Sequence, residues 1–404
     1  MSAVLHPTSE DEAAAAVADA VAARTPLAVE GGGTKAAVGR PSRAERVLSA
    51  ARLRGITLYE PAELVVGARA GTPLAEVAAT LAARGQALPF EPMDHRRLLG
   101  SDGEPTLGAV AAANLSGPRR IQAGAARDGL IGVRFVNGRA EVVKNGGRVM
   151  KNVTGLDLVK LMAGSWGTLG FLTEVTFKVL PVPETTATVA LAGLDDVRAV
   201  EALCLALGSP YEVTGAAHLP AGLAGAAGLA GVAGLGGEAR TLLRLEGFAA
   251  SVAYRAGELR TLLRRHGSAE IVETAGLWEA IRDVHPLAEP RERAVWRVST
   301  APTRGPAVTA ALARLRDATW FYDWGGGLIW IATDATGDAG AADLRAALRP
   351  SGGHAALVRA PPAVRAAVAV FEPQPEPLMR VQRGIKAALD PHGLFSPGRM
   401  HAGL

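Results

Sequence analysis

Glu30-Gly31-Gly32-Gly33-Thr34-Lys35 places three glycines, a hydroxyl and an ammonium group in succession, directly after the apolar run Pro26-Leu27-Ala28-Val29. Consecutive glycines let the main chain turn sharply and bare several N–H groups. Such a nest binds an anion, most often a phosphate, and Thr34 and Lys35 would add a hydroxyl and a cation at its edge. A glycine-rich turn with no ligand fits the same residues. The P-loop pattern G-x-x-x-x-G-K-[ST] is absent from the chain. The dinucleotide fingerprint G-x-G-x-x-G, set between a strand and a helix, is not matched near residue 31. Gly234–Ala239 approximates its G-x-G-x-x-A form, but it lies in an Ala/Gly tract with no strand before it and reads as accidental. An anion site at residue 31 therefore belongs to a third architecture.

Two further segments have the composition of ligand walls. Pro105-Thr106-Leu107-Gly108-Ala109-Val110-Ala111-Ala112-Ala113-Asn114 is small and apolar, so a flat ligand or another backbone could approach it closely. Gly164-Ser165-Trp166-Gly167-Thr168-Leu169-Gly170-Phe171-Leu172 brings a tight turn into a strand. Lys151, Asn152 and Asp157 form a polar cluster that reads either as a network holding a loop or as a substrate or partner contact. Trp320-Phe321-Tyr322-Asp323-Trp324 concentrates aromatics in a chain with few; core packing is the plainer reading, an interface or substrate wall the sharper one. The eight histidines are scattered.

Positioning these segments requires a particular run of elements. Ser9 with Glu12 makes a capping box ahead of an Ala-rich helix reaching Ala23. Leu27–Val29, Arg46–Leu48 and Ile56–Tyr59 read as strands, giving a compact β-α-β unit. Leu64–Ala70 reads as a strand, and Leu74, Val77, Ala78 and Leu81 recur at helical spacing up to Gly85. Strands are expected at Ile131–Val136, Ala140–Val143 and Leu172–Leu180, with a helical segment at Leu156–Ala163. After Pro181-Val182-Pro183, short strands alternate with Ala/Leu/Arg helices such as Arg255–Arg265 and Ala310–Arg316, as in a separate α+β domain. A helix at Leu378–Leu389 precedes the closing segment.

At 404 residues the chain calls for two domains or more. A net charge of +4, with no long Lys/Arg block, gives no case for nucleic acid. The one cysteine, Cys204, between leucines, reads as a buried core thiol; it excludes internal disulfides and a Cys-ligated iron–sulfur cluster within the chain. No metal site is expected. The acidic start, Ser9-Glu10-Asp11-Glu12, is unlike a signal peptide. The uncharged stretch Leu219–Gly237 is Ala/Gly-rich and reads as a compact helix or loop rather than a membrane span. The expected location is cytoplasmic, or peripheral to a membrane through partners.

Taken in order, Gly31–Lys35, Ala70–Leu74, Thr106–Gly108, Arg127-Asp128, Gly164–Glu174 and the terminal Asp390-Pro391-His392-Gly393-Leu394-Phe395-Ser396-Pro397-Gly398-Arg399 resemble the FAD-binding family of the vanillyl-alcohol oxidase / p-cresol methylhydroxylase (PCMH) type. Gly147–Leu158, Gly117-Pro118-Arg119-Arg120 and Gly352-Gly353-His354-Ala355 are similar to the FAD-binding, E-type subunits of glycolate oxidase. The resemblance covers essentially the whole chain, more weakly between residues 185 and 345. It implies an α+β fold: a two-subdomain PCMH-type FAD-binding domain over 1–183 (divided near 59/60), a smaller α+β cap with an antiparallel sheet over 184–360, and a segment, 361–404, returning to the FAD domain.

The resemblance also implies roles. Gly31, Gly32, Gly33, Thr34 and Lys35 would cradle the FAD diphosphate. Thr106 and Gly108 would lie beside the flavin, Asp128 near the ribityl and diphosphate region, Gly170 and Leu172 at the adenine end, and Arg399 close to the isoalloxazine. Three departures stand out: Glu30 is acidic at a phosphate site, Ser396 replaces the usual Asn, and no His occupies the covalent attachment position, so FAD would be non-covalent. Oxidation of a 2-hydroxy acid needs an Arg for the carboxylate and a base for the hydroxyl. The His-x-His and Glu-His-Gly regions of the catalytic sister subunit are missing. His354, with Arg359 nearby, is the candidate catalytic pair; a turn histidine beside Gly352-Gly353 is the plainer reading. The implied partners are a catalytic flavoprotein subunit and an iron–sulfur subunit. A stand-alone flavin oxidoreductase and a flavin-free structural subunit remain as alternatives.

Overall fold

The computed structural model describes residues 3–147, 155–223, 237–272, 274–314 and 317–404. The Lys151 and Asn152 part of the polar cluster, most of the Gly147–Leu158 motif and most of the Ala/Gly tract with its G-x-G-x-x-A match lie outside the described residues.

The first half holds two principal sheets. β1 (Ala3–Leu5), β2 (Leu27–Glu30) and β3 (Arg46–Ser49) form a parallel sheet in the order β1-β3-β2. β4 (Ile56–Glu60) and β5 (Val65–Arg69) begin a five-stranded antiparallel sheet; a short β6 (Gln86–Ala87) follows, and β7 (Leu130–Val136), β8 (Val142–Gly146) and β9 (Phe171–Lys178) complete it in the order β4-β5-β9-β7-β8. Because Ile56–Glu60 pairs with β5, it falls on the far side of the break expected at residue 59. β1 escaped the sequence reading because a three-residue run shows no periodicity.

The helix Glu10–Ala23 begins at Ser9, whose Oγ accepts from the Glu12 N–H at 3.1 Å. The Glu12 carboxylate reaches back to the Thr8 N–H at 2.7 Å, one residue beyond the expected partner. Its apolar residues Ala13, Val17 and Ala20 are buried in one core with Val133, Phe135, Val175 and Phe177 of the five-stranded sheet. Burial of each phenylalanine side chain contributes about 1.5–3 kcal/mol.

After β10 (Leu180–Pro181), which pairs with β6, the chain builds an antiparallel eight-stranded sheet. Its strands are β11 (Thr185–Ala192), β12 (Gly215–Leu219), β13 (Arg240–Gly247), β14 (Ala269–Val272), β15 (Ala294–Ser299), β16 (Ala318–Asp323), β17 (Leu328–Thr333) and β18 (His354–Arg359), in the order β14-β11-β13-β12-β16-β17-β15-β18. One face carries the helices Asp196–Leu207, Ala249–Leu263, Gly305–Ala313 and Ala341–Leu348. The other face packs Val295, Phe321, Trp330 and Val358 with Val38, Met93 and Leu98 of the first half. The strands alternate accordingly: Trp296 and Val298 point to the helices, while Val295 and Arg297 point toward the first half.

Cys204 is half-buried rather than fully buried, with Sγ 3.8 Å from the Gly325 carbonyl. Of the aromatic run, Phe321 and Tyr322 are buried in the cores on opposite faces, whereas Trp324 donates from its indole to the Gly117 carbonyl at 3.0 Å. Both sequence readings of that run thus apply, to different residues.

The C-terminal segment completes the first sheet. Leu27 donates to the Leu394 carbonyl at 2.8 Å, and Ser396 donates to the Leu27 carbonyl at 2.8 Å. Phe395 is fully buried in the same core as the first helix.

Candidate functional site

β2 and the start of the Leu107–Ala113 helix set two close loops against each other. A Cβ on Gly32 would lie 1.9 Å from the Glu104 carbonyl oxygen, and one on Gly31 would lie 2.3 Å from Thr106 Oγ1. These glycines therefore allow loop to meet loop. Gly33 has φ +80°, and a Cβ there would meet nothing closer than the Glu30 carboxylate at 4.0 Å, so there the requirement is conformational. Gly108 and Gly170 similarly make room for protein: their Cβ atoms would meet Ala70 at 2.5 Å and Phe135 at 2.8 Å.

The backbone N–H groups of Gly32, Gly33, Thr34 and Lys35 donate to no protein acceptor among the described residues. The carbonyls of this stretch are held from outside: Ser49 Oγ donates to Gly31 O at 2.9 Å, and Ser101 Oγ donates to Thr34 O at 3.1 Å. Arg399 brackets the loop. One guanidinium nitrogen donates to Val29 O at 3.1 Å and another to Lys35 O at 3.0 Å, while the group lies over the Trp166 ring. Burial lowers its pKa, with Glu30 opposing that shift. Glu30 thus supplies countercharge to Arg399. Ser396 braces the strand that feeds the loop, its Oγ accepting from the Val29 N–H at 3.0 Å.

Lys35 is buried, and its ammonium donates to Thr34 Oγ1 at 2.9 Å. Burial brings its pKa down to about 8, with the field of Asp94 opposing and that of Arg399 adding. His95, fully enclosed, is held neutral, its pKa near 3 through burial and then the Lys35 charge. His95 Nδ1, Thr106 Oγ1 and Ser165 Oγ are buried without a hydrogen-bond partner.

Of these groups, Thr34, Lys35, Ser165 and Arg399 line one cleft. It brings together Gly31, Gly32, Gly33, Thr34, Lys35, Gly108, Gly170, Leu172 and Arg399, and Ala50, Ala70, Ala109, Ala112 and Ala113 give it a wall of small residues. Unpaired main-chain donors, a buried ammonium and a small-residue wall fit a dinucleotide with an anionic diphosphate and flat rings.

Four of the sequence candidates are not among the cleft-lining residues: Thr106, whose Oγ1 is buried against Gly31, and Asp128, Arg359 and His354. Asp128 faces a separate recess and accepts from the Ala125 N–H at 2.8 Å; it caps the short helix Ala126–Gly129 and is not part of the cleft wall. Arg359 is engaged by the main chain. Its guanidinium donates to the carbonyls of Arg293, Leu98, Ala288, Leu287 and Pro290 at 2.6–3.1 Å, tying the 287–293 loop to the domain interface. A planar cation with five donors satisfies loop carbonyls that no strand pairs. His354 lies at the exposed start of β18, and burial of its ring and then the nearby Arg297 and Arg120 lower its pKa.

The FAD binding domain family (FAD_binding_4) matches residues 1–146. The chain is 33% identical over 389 residues to glycolate oxidase subunit GlcE of Escherichia coli K12, covering 96% of each chain. It belongs to the GlcE family of glycolate oxidase subunits. Subunit GlcD of Bacillus subtilis is 28% identical over 46% of this chain and 38% of its own length. Among solved structures, 4-ethylphenol oxidase from Gulosibacter chungangensis superposes with a TM-score of 0.73 at 14% identity, covering 98% of this chain and 88% of that one. p-Cresol methylhydroxylase gives 0.72 at 14% identity, over 99% and 88%. The fold is thus the PCMH-type FAD-binding fold with an antiparallel cap, and this GlcE-family chain is an FAD-dependent oxidoreductase subunit. No helix among the described residues is long and apolar enough to cross a membrane.

Sequence reasoning missed His95, Ser165, Glu91 and Arg297. Glu91 takes a bidentate contact from Arg244 of the cap, both distances 2.9 Å, and accepts from the Arg119 N–H. Burial pulls Glu91 upward and Arg244 more than offsets it, so its pKa is lowered. Arg297 left a visible signal: a charge in the middle of the apolar strand Ala294-Val295-Trp296-Arg297-Val298.

Proposed function

We propose that this chain is the FAD-binding subunit of a glycolate oxidase or dehydrogenase complex that oxidises glycolate to glyoxylate, working with a catalytic flavoprotein subunit and an iron–sulfur subunit. The observation that carries this reading is near-full-length similarity to GlcE together with a cleft whose loop amides lack protein acceptors. The amides of Gly32–Lys35 and the Lys35 ammonium would hold the diphosphate. Thr106 would offer its hydroxyl, and the wall from Gly108 to Ala113 would exclude water from the rings. Arg399 positions the loop rather than the substrate. Bound FAD, non-covalent here, supplies a two-electron acceptor. The site residues toward FAD are proposed as Gly31, Gly32, Gly33, Thr34, Lys35, Thr106, Gly108, Gly170, Leu172 and Arg399.

The test is the absorption spectrum of the purified chain and its glycolate:dye activity with and without partners. A flavin band at about 450 nm, with activity that rises sharply on adding the partners, is expected. Colourless protein that cannot be reconstituted with FAD would sink the reading. Full glycolate turnover by the isolated chain would instead favour a stand-alone oxidoreductase.

A further inference from the structure

Where the cap meets the first half, two arginines lie against one ring. Arg120, from the short helix Arg120–Ala123, has its guanidinium carbon 4.5 Å from the centroid of the Trp324 ring. Arg297, in the middle of β15, has its own 5.1 Å from the same ring. Among the described residues, neither guanidinium forms an ion pair or a hydrogen bond to a side chain or carbonyl. The two acids whose fields reach them are otherwise engaged: Asp128 caps Ala125, and the buried Asp323 accepts from the Trp324 N–H at 2.7 Å.

Two like charges on one indole, at a domain interface and with no carboxylate in contact with either, favour an anion that joins them. The ring's π-face attracts each cation but does not neutralise either. The guanidinium fork matches a carboxylate in geometry, and two forks can grip both of its oxygens. The rim of the place is exposed. His354 begins the strand next to Arg297, is exposed, and lies on the same strand face, since Ser299 pairs with His354 and Arg297 with Ala356. The place also shares a core with the cleft wall: Trp324 packs on the same apolar cluster as Trp166, which lines the cleft.

We infer that Arg120 and Arg297, carried on Trp324, form a binding site for the carboxylate of a small 2-hydroxy acid in this subunit itself. The inference rests on the proposed flavin-linked function for its placement beside the cleft, but its chemistry is that of an anion site and stands on this chain's residues. It assigns substrate recognition to a chain that lacks the sister subunit's histidine motifs. His354 stands at its rim with Glu372, whose carboxylate accepts from the Ala355 N–H at 3.0 Å.

The experiment is calorimetric titration of the full chain, as purified, with oxalate and glycolate, and with glycolamide as the neutral control. Wild type should bind both anions and not glycolamide. Arg120→Gln and Arg297→Gln should each weaken oxalate at least about tenfold, the order expected for losing one charge-assisted pair, with absorbance at about 450 nm unchanged. If Arg297→Gln does not fold, the half-buried Arg120 decides alone. Failure of wild type to bind either anion, equal binding of glycolamide, or unchanged affinity in Arg120→Gln overturns the inference. Arginine-dependent oxalate binding by a chain that cannot hold flavin would support the anion site while defeating the function proposed above.

Discussion

The ammonium of Lys386 lies 2.7 Å from the carboxylate of Asp390, one helical turn on, and both are buried. The same ammonium donates to Thr168 O at 2.6 Å and Phe395 O at 3.0 Å, while Asp390 accepts from the N–H groups of Leu394 and Phe395 at 3.0 and 2.8 Å. This pair fixes the closing segment against the first half. Burial lowers the Lys386 pKa and Asp390 opposes that shift. Lys386→Met leaves a buried carboxylate, so a loss of about 3–5 kcal/mol in urea unfolding is expected. A loss below about 1 kcal/mol would mean that the segment is held by packing alone.

Gly32 and Gly33 separate two reasons for glycine. Gly32→Ala should open the contact with Glu104 and strip FAD from the purified protein. Gly33→Ala makes no collision with the protein and carries the left-handed strain, about 1–2 kcal/mol, so most flavin should be retained. The absorbance ratio at about 450 nm to 280 nm reads both. Equal loss in the two variants would point to backbone strain as the common cause.

Flavin retention should weaken in alkali. Lys35 has a folded-state pKa near 8, lowered by burial from 10.5. A diphosphate favours the protonated form, so affinity is complete below pH 8 and declines as pH rises through that value. Without ligand the sign for stability is the reverse: the unfolded chain holds more protons between pH 8 and 10.5, so Lys35 contributes rising stability across that window. Lys35→Met should remove the alkaline limb of an FAD-binding titration. Persistence of that limb in the variant would assign it to another group.

Arg399→Lys keeps the charge but cannot span Val29 O and Lys35 O with one fork. FAD should dissociate about tenfold faster, measured by fluorescence on dilution. Unaltered release would show that Ser396, Ser49 and Ser101 suffice to shape the loop.

Arg359→Met should lower the unfolding midpoint and leave turnover per bound flavin unchanged in the assembled complex. A fall in turnover with the melting temperature preserved would return Arg359 to the reaction.

Legibility followed local physics. The first helix was readable because its cap and its apolar spacing agree, and the glycine loop because three consecutive glycines have few other uses. The cap sheet was legible only as a class, because its register depends on pairs such as Arg297 with Ala356, nearly sixty residues apart. Asp128 was assigned to the cofactor by resemblance, and the sequence does not show that its carboxylate is taken up by the Ala125 N–H. Arg359 misled for a related reason: sequence shows a cation near a histidine but not the five carbonyls around it. His95 gave no signal, since burial of a histidine is decided by distant packing.

The bridge from Leu27 to Leu394 and Ser396 has a bearing on biosynthesis. Nearly 370 residues must emerge from the ribosome between the strand that leads into the nucleotide loop and the one that braces it. A nascent chain halted before Arg399 would own every glycine of the loop and still lack its clamp. Cofactor capture is thereby deferred to the last moments of translation, and even a short C-terminal deletion should leave a chain blind to its nucleotide.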